Sequence, residues 1–385
     1  MSNDNFTEVT SESWFSRLGG AIKGILVGIV LIIVALVLLF WNEGRSVKEY
    51  KTLKEGAGSV ISVASDAVDP ANAGKLIHTT GKADTKAVLN DPIFGVSANA
   101  LQLRRVAEMY QWKETSHSET QKKLGGGEET KTTYSYEKTW SASAINSGDF
   151  RIPEEHQNPA TMPYESSTQL ADTVSLGKFS LPASLVERID ETKPLVIQAA
   201  DIKKMELPTG IKLQAGGFYS GMNPAAPKIG DQRITFEVVN PMEVSVIAKQ
   251  VRDTFEPYAT SAGGEIELLE TGIHSADAII QHAQESNTLM TWIIRLIGFI
   301  LLVIGINMEF KVLSVIADVL PIAGDIIGAG TGIIAFLLAV ILALATIAIA
   351  WIFYRPLLAI ILLAAVVGVI TVIKLKLNKQ PKVAA

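Results

Sequence analysis

No cysteine occurs anywhere in the 385 residues. Disulfides, thiolate nucleophiles and zinc–thiolate centres are excluded, and any folded part must hold together by packing alone. Charge is sparse as well: 19% of residues are charged, against 48% hydrophobic, and the formal net charge is -5. The acidic excess lies in the middle of the chain. That argues against a nucleic-acid surface, which needs clustered Lys and Arg to neutralise phosphates. The familiar catalytic signatures are missing too: there is no Walker A lysine motif, no HExxH and no G-x-S-x-G. The five histidines are scattered. The reading is therefore of no enzyme, no catalytic residue, no cofactor and no metal. No N-x-S/T sequon falls in the central region, so its glycosylation is not expected.

What the chain does have is long apolar runs, and they sit at its two ends. A helix crossing the hydrocarbon core, about 30 Å thick, needs about 20 mostly apolar residues at about 1.5 Å each. Backbone polar groups in lipid are satisfied only within helices or closed barrels, and runs without period-2 alternation select the helix. Four spans are expected on this basis. The first is 19–41 (GGAIKGILVGIVLIIVALVLLFW). The second is 291–309 (TWIIRLIGFILLVIGINME), the third 326–354, and the fourth 356–373 (PLLAIILLAAVVGVITVI). The first is too long for a signal-peptide core and is followed by WNEGR rather than a small-residue cleavage site, so it reads as a retained anchor. Residues 1–18 form a polar, loosely attached lead whose SESWFSR stretch suits the interface. Residues 374–385 form a basic tail with Lys374, Lys376, Lys379 and Lys382.

The tail sets the expected orientation. Positive charge favours the cytoplasmic side, so counting back through the spans puts both termini in the cytoplasm and residues 42–290 outside it. Trp14, Trp41, Trp292, Trp351 and Tyr354 mark interfaces. Glycines at every fourth position give close-packing faces: Gly20, Gly24 and Gly28 on the first span, and Gly324, Gly328 and Gly332 at the start of the third. The GAGTG at 328–332 lies in an apolar run, so helix packing explains it better than a dinucleotide fingerprint.

The insert 42–290 is β-rich, with GSVISVAS, KLIHTTG, QRITFEVV and EVSVIAKQV as strand-like segments. Its clearest unit is a long hairpin, 101–143. LQLRRVAEMYQWKE runs out to a tip at Gly125, Gly126 and Gly127, and TKTTYSYEKTWS returns. The polar tip suggests projection from the domain. Residues 153–227 are proline-rich, with a short helix expected near 183–189. The whole is an α+β membrane protein, with one N-terminal and three C-terminal transmembrane helices around a large β-rich extracytoplasmic domain.

Segment 310–325 is ambiguous: apolar, but broken by Asp318, Pro321 and Asp325. It reads as an interfacial connector or a re-entrant stretch. Arg295, Asp318, Asp325 and Arg355 are the polar candidates within the membrane, because intramembrane charge is costly and marks function by default.

Several stretches together resemble the LUMA family, also called the transmembrane protein 43 family. They are WNEGRSVK, LRRVAEMYQWKE followed by YSYEKTW, GDQRITFEVV, TWIIRLIGFILLVIGINM and LPIAGD, in the same order over nearly the whole chain. The resemblance implies four spans, cytoplasmic termini and a lumenal or periplasmic domain. It also implies a role organising membrane protein complexes. The cysteine-free, sequon-free insert looks bacterial, which places the chain in a bacterial cytoplasmic membrane; a eukaryotic member would sit in the endoplasmic reticulum or inner nuclear membrane. The function expected is a non-enzymatic scaffold that touches membrane lipids and other membrane or envelope proteins, self-associates, and binds no nucleic acid. The alternatives are a channel or transporter subunit using the Asp and Arg residues, and, more weakly, a lipid or envelope sensor.

Overall fold

The computed structural model describes residues 4–202, 207–319, 321–357 and 360–361. The elements that matter for function are, in chain order, β1 (Asp4–Glu12), α1 (Trp14–Ser59), β2 (Leu76–Asp84), β3 (Gln102–Lys122), β4 (Glu128–Ser141) and β5 (Ile211–Gln214). Then come β6 (Gly217–Ser220), β7 (Gln232–Val239), β8 (Met242–Val251), β9 (Leu268–Thr271), α2 (Ala276–Ala317) and α3 (Pro321–Tyr354). The chain divides into two compact units. One is Met1–Val9, Lys54–Glu119 and Lys131–Gln281; the other is Thr10–Leu53, Thr120–Thr130 and His282–Ala385.

The first unit is β-rich. One sheet runs β1-β4-β3-β7-β6-β5. Its centre is the antiparallel pair β3/β7, with Arg105 opposite Phe236 and Met109 opposite Gln232. Alternation along β3 places Leu103, Arg105, Ala107, Met109 and Gln111 inside while Arg104, Val106, Glu108 and Tyr110 between them are only half-buried, as a half-buried strand requires. A second sheet is centred on β2/β8, with Val244 opposite Gly81 and Val246 opposite Thr79, and β9 pairs on the far side of β8. Phe94, Phe218 and Phe236 cluster in the core, Phe94 and Phe218 stacked with centroids 5.3 Å apart and Phe236 edge-on to both. Asp91 and Arg105 form a buried charged pair beside this core, 2.5 Å apart, with Arg105 also donating to the Glu165 carbonyl.

The N-terminus departs from expectation. Instead of a loose lead, Asp4–Glu12 is an edge strand on β4. Phe6 sits against Tyr134, and Asp4 accepts from the buried His156, whose ring stacks on Tyr136. The alternating DNFTEVTSE supports a strand once an open sheet edge is available to it. Charge counting separates this segment from the insert by a membrane; the sheet joins them.

The second unit is helical. Three of the described helices are long and apolar enough to cross a membrane. Their limits exceed the apolar runs. α1 continues from Trp41 to Ser59 because EGRSVKEYKTLKE is made largely of residues that tolerate a helix in water. α2 begins at Ala276 and continues to Ala317, so most of the expected connector 310–325 is helix. α3 starts at Pro321: proline at the first helical position needs no amide partner, so it opens the helix rather than breaking one. The expected fourth span, 356–373, lies almost entirely outside the described residues, and the tail 374–385 lies wholly outside them.

Candidate functional site: two polar layers on a helix bundle

α1 and α2 run antiparallel, and the contacts between them fall in a consistent register. Asn42 meets Thr291, Leu39 packs on Gly298, Gly28 crosses Gly305, and Trp14 reaches Val315. α3 packs alongside through Phe299–Phe336, rings perpendicular at 5.4 Å, and Phe40–Tyr354. Ala35, Leu39, Leu302, Ile306, Ala335 and Ala339 fill the interior. Small residues do this because, in lipid, helix association relies on close van der Waals contact.

The first polar layer grows from WNEGR. Glu43 is fully buried. Its Oε1 accepts from Arg295 Nε at 2.7 Å, and its Oε2 from Arg295 Nη2 at 3.0 Å. Oε2 also accepts from the Trp351 indole at 2.8 Å. The bidentate fork matches carboxylate geometry and fixes α2 against α1, while Trp351 brings in α3. Arg295 also lies over the Trp292 ring at 4.7 Å. Around this triad Asn42 donates to the Thr291 carbonyl, Arg45 donates to Asn287 and Thr291, and Asn287 donates to the Ser46 carbonyl. Gly44 leaves room for the Tyr354 ring; a Cβ there would lie 2.7 Å from its Cζ.

The second layer lies at the other end of the bundle, about 39 Å away along α1 from Glu43 to Arg17 at about 1.5 Å per residue. Asp318 is 1% exposed and both its oxygens are taken: Oδ2 by Arg17 at 2.5 Å and Oδ1 by Lys122 at 2.7 Å. Lys122 also bonds Asp325 at 2.8 Å, and Arg17 bonds Glu128 at 2.6 Å and the Gly126 carbonyl. Lys122, Gly126 and Glu128 belong to the hairpin tip. The tip therefore does not project free; it is docked on the ends of α1, α2 and α3. Gly125 and Gly126 take left-handed φ values of 90° and 84°, which glycine adopts without strain, and Gly126 lies directly under the Trp14 indole. Burial pushes the Asp318 carboxyl up, but its bonds to Lys122 and Arg17 outweigh this and hold it below the usual carboxylate range. For Lys122, burial is likewise outweighed by Asp318 and Asp325, and its ammonium titrates above its ordinary value.

The residues singled out in the sequence are distributed as follows. Arg295 belongs to the first layer; Asp318 and Asp325 belong to the second, bridged by Lys122. Arg355 lies just past the end of α3, where its amide bonds the Trp351 carbonyl. Trp41 and Trp292 are exposed on the helix surface, whereas Trp14, Trp351 and Tyr354 are engaged within the layers. Of the glycines, Gly28 makes the tight crossing and Gly24 approaches Met308; Gly20 meets nothing. On α3 Gly328 approaches Ser314, Gly332 meets nothing, and the surroundings of Gly324 lie outside what is described. Sequence reasoning passed over Glu43 and Lys122 as site residues. The signal for Glu43 was a lone carboxylate directly after a long apolar run, with Arg295 as the first charge in another.

Three long apolar helices fastened to one another by buried ion pairs, in a chain that also carries a β-rich unit, define an integral membrane protein. The chain belongs to the transmembrane protein 43 family, whose family model matches residues 109–356. It is 35% identical over 376 residues to transmembrane protein 43 of Rattus norvegicus, covering 94% of this chain and 92% of that one. It is 34% identical over 361 residues to the Homo sapiens protein, with coverages of 91% and 89%. The Drosophila melanogaster homolog is 30% identical over 352 residues, with coverages of 88% and 91%. No solved structure matches.

Proposed function

We propose that this protein is a non-enzymatic membrane scaffold, which organises or anchors membrane protein complexes through its β-rich domain and glycine-faced helices. The observation that carries this reading is the saturation of the charged groups in the two polar layers. Glu43 holds three hydrogen bonds and Asp318 accepts two cations, so these carboxylates act as fasteners between helices. A rigid, fastened bundle with wide apolar faces suits holding partners in register. The same saturation counts against a channel or transporter, since Arg295, Asp318 and Asp325 are all committed to ion pairs. The partners would be lipids, other membrane or envelope proteins, and further copies of this chain. The test removes residues 114–138 from the full chain and maps cross-links in native membranes. Loss of reproducible partner cross-links supports the scaffold; unchanged cross-links, or catalytic turnover by the purified protein, overturn it.

A further inference from the structure

The β-rich unit reads the N-terminal strand through side chains at every second position. DNFTEVTSE carries Asp4, Glu8 and Glu12 and no basic residue. Residues two apart on a strand share a face, so Asp4, Phe6 and Glu8 form one row. Each meets its own contact. Asp4 is bound by His156, which is 1% exposed. The His156 ring stacks on Tyr136 with centroids 3.6 Å apart and meets Trp112 edge-on at 4.7 Å, and its Nδ1 bonds the Ile152 carbonyl at 3.0 Å. That leaves Nε2 for Asp4 Oδ2, 2.9 Å away. Phe6 lies against Tyr134 with centroids 6.3 Å apart, and Glu8 pairs with Arg151 at 2.5 Å. An acid–aromatic–acid row is thus met by imidazole, ring and guanidinium. This is how a sheet edge takes on an added strand: main-chain bonds give affinity, and contacts to alternate side chains give selectivity.

The strand is well matched but lightly held. None of its nine residues is buried, and only Phe6 and Glu8 are half-buried. Segments with so few buried contacts open most readily, and a strand at a chain terminus leaves its sheet without unthreading anything. Its departure bares the edge of β4, a row of unpaired backbone groups that templates another strand. The strand that satisfies all three contacts is β1, and every copy of the chain carries one. Nine extended residues span about 30 Å at about 3.3 Å each, enough to reach a copy lying alongside.

We propose that the β4 edge is a self-association site whose partner is the N-terminal strand of a second copy, exchanged in trans onto His156, Tyr134 and Arg151. Exchange of an identical element reuses contacts already present in the single chain, which makes it a low-cost route to a dimer. The inference rests on the self-association in the scaffold reading, but it concerns copies of this chain alone.

The absence of cysteine makes the test direct. The hydroxyl oxygens of Thr7 and Thr133 lie 3.4 Å apart across β1 and β4. Two full-length chains with different tags, one carrying Thr7→Cys and the other Thr133→Cys, are co-expressed and their membranes mildly oxidised. Exchange predicts a disulfide between residue 7 of one copy and residue 133 of the other, identified by mass spectrometry. Its yield should be at least tenfold above that of Thr7→Cys paired with Lys212→Cys, which lies on the opposite edge strand β5. A single chain carrying both Thr7→Cys and Thr133→Cys should close internally, lose its dimer in a native mass measurement, and regain it on reduction. Internal closure without any 7–133 link between copies overturns the proposal, as do equal yields for the two pairs. Failure of internal closure also overturns it, because β1 would then not lie on β4. Foreign proteins held in fixed ratio, the mark of the scaffold, do not enter this readout.

Discussion

Replacing Arg295 by Leu removes the cation that, among the described residues, is bound to the fully buried carboxylate of Glu43. The pair itself is worth little against a hydrophobic substitute, because taking two charges out of water costs much of what their attraction returns. Breaking it from one side is different. Glu43 would keep the Trp351 bond but lose both guanidinium bonds, leaving an uncompensated buried charge at a cost of about 3–5 kcal/mol. Adding Glu43→Gln removes that charge while keeping an acceptor for Trp351, so the double variant should be more stable than Arg295→Leu alone. The expected coupling is about 0.5–3 kcal/mol, in the range found for residues that share one network. The assay is thermal unfolding of the purified full chain in mild detergent, run as a double-mutant cycle. If the second substitution adds its own penalty with no coupling, the Glu43–Arg295 layer does not hold the bundle together.

Three further outcomes follow from the same geometry. Gly28→Leu should weaken the α1–α2 crossing by about 1–3 kcal/mol through overpacking, since its Cβ meets the Gly305 carbonyl oxygen and Glu309, whereas Gly20→Ala, where nothing lies within 4 Å, should unfold like the wild type. Asp318 titrates below the ordinary carboxylate range, so its contribution is present above that range and lost only as pH falls through the lowered value. A distance probe between residue 124 on the tip and residue 326 on α3 should therefore report a docked tip at neutral and mildly acidic pH and release only in stronger acid; release near neutrality would contradict the ion-pair assignment. Because the chain has no cysteine, Ser11→Cys and Leu124→Cys can each be labelled singly with a membrane-impermeant maleimide. Both should react from the same side of the membrane, and labelling from opposite sides would show that the tip does not dock beside Arg17.

The helices were legible because a long apolar run admits few other structures in lipid, but their ends were not. The charged stretch 43–55 is compatible with a short helix or a linker; nothing in it stops a helix, and α1 runs unbroken to Ser59. Pro321 was read as a break and proved to be a start. The hairpin was legible from alternation and its three glycines, whereas its docking was not, because an exposed polar tip and an ion-paired one look alike until Asp318 is placed beside Lys122. The strand β1 was missed because an edge strand draws its hydrogen bonds from a partner more than a hundred residues away. Arg295 was singled out alone. Its partner Glu43 emerges only from the antiparallel register, which the close crossing of Gly28 with Gly305 helps to set.

The scaffold claim is tested most directly by the native mass of the complex released gently from its own membranes, with every co-purifying chain identified and its stoichiometry measured. The account predicts a reproducible assembly containing other membrane proteins in fixed ratio, lost when residues 114–138 are deleted. A closed homo-oligomer with no other chain attached would contradict it.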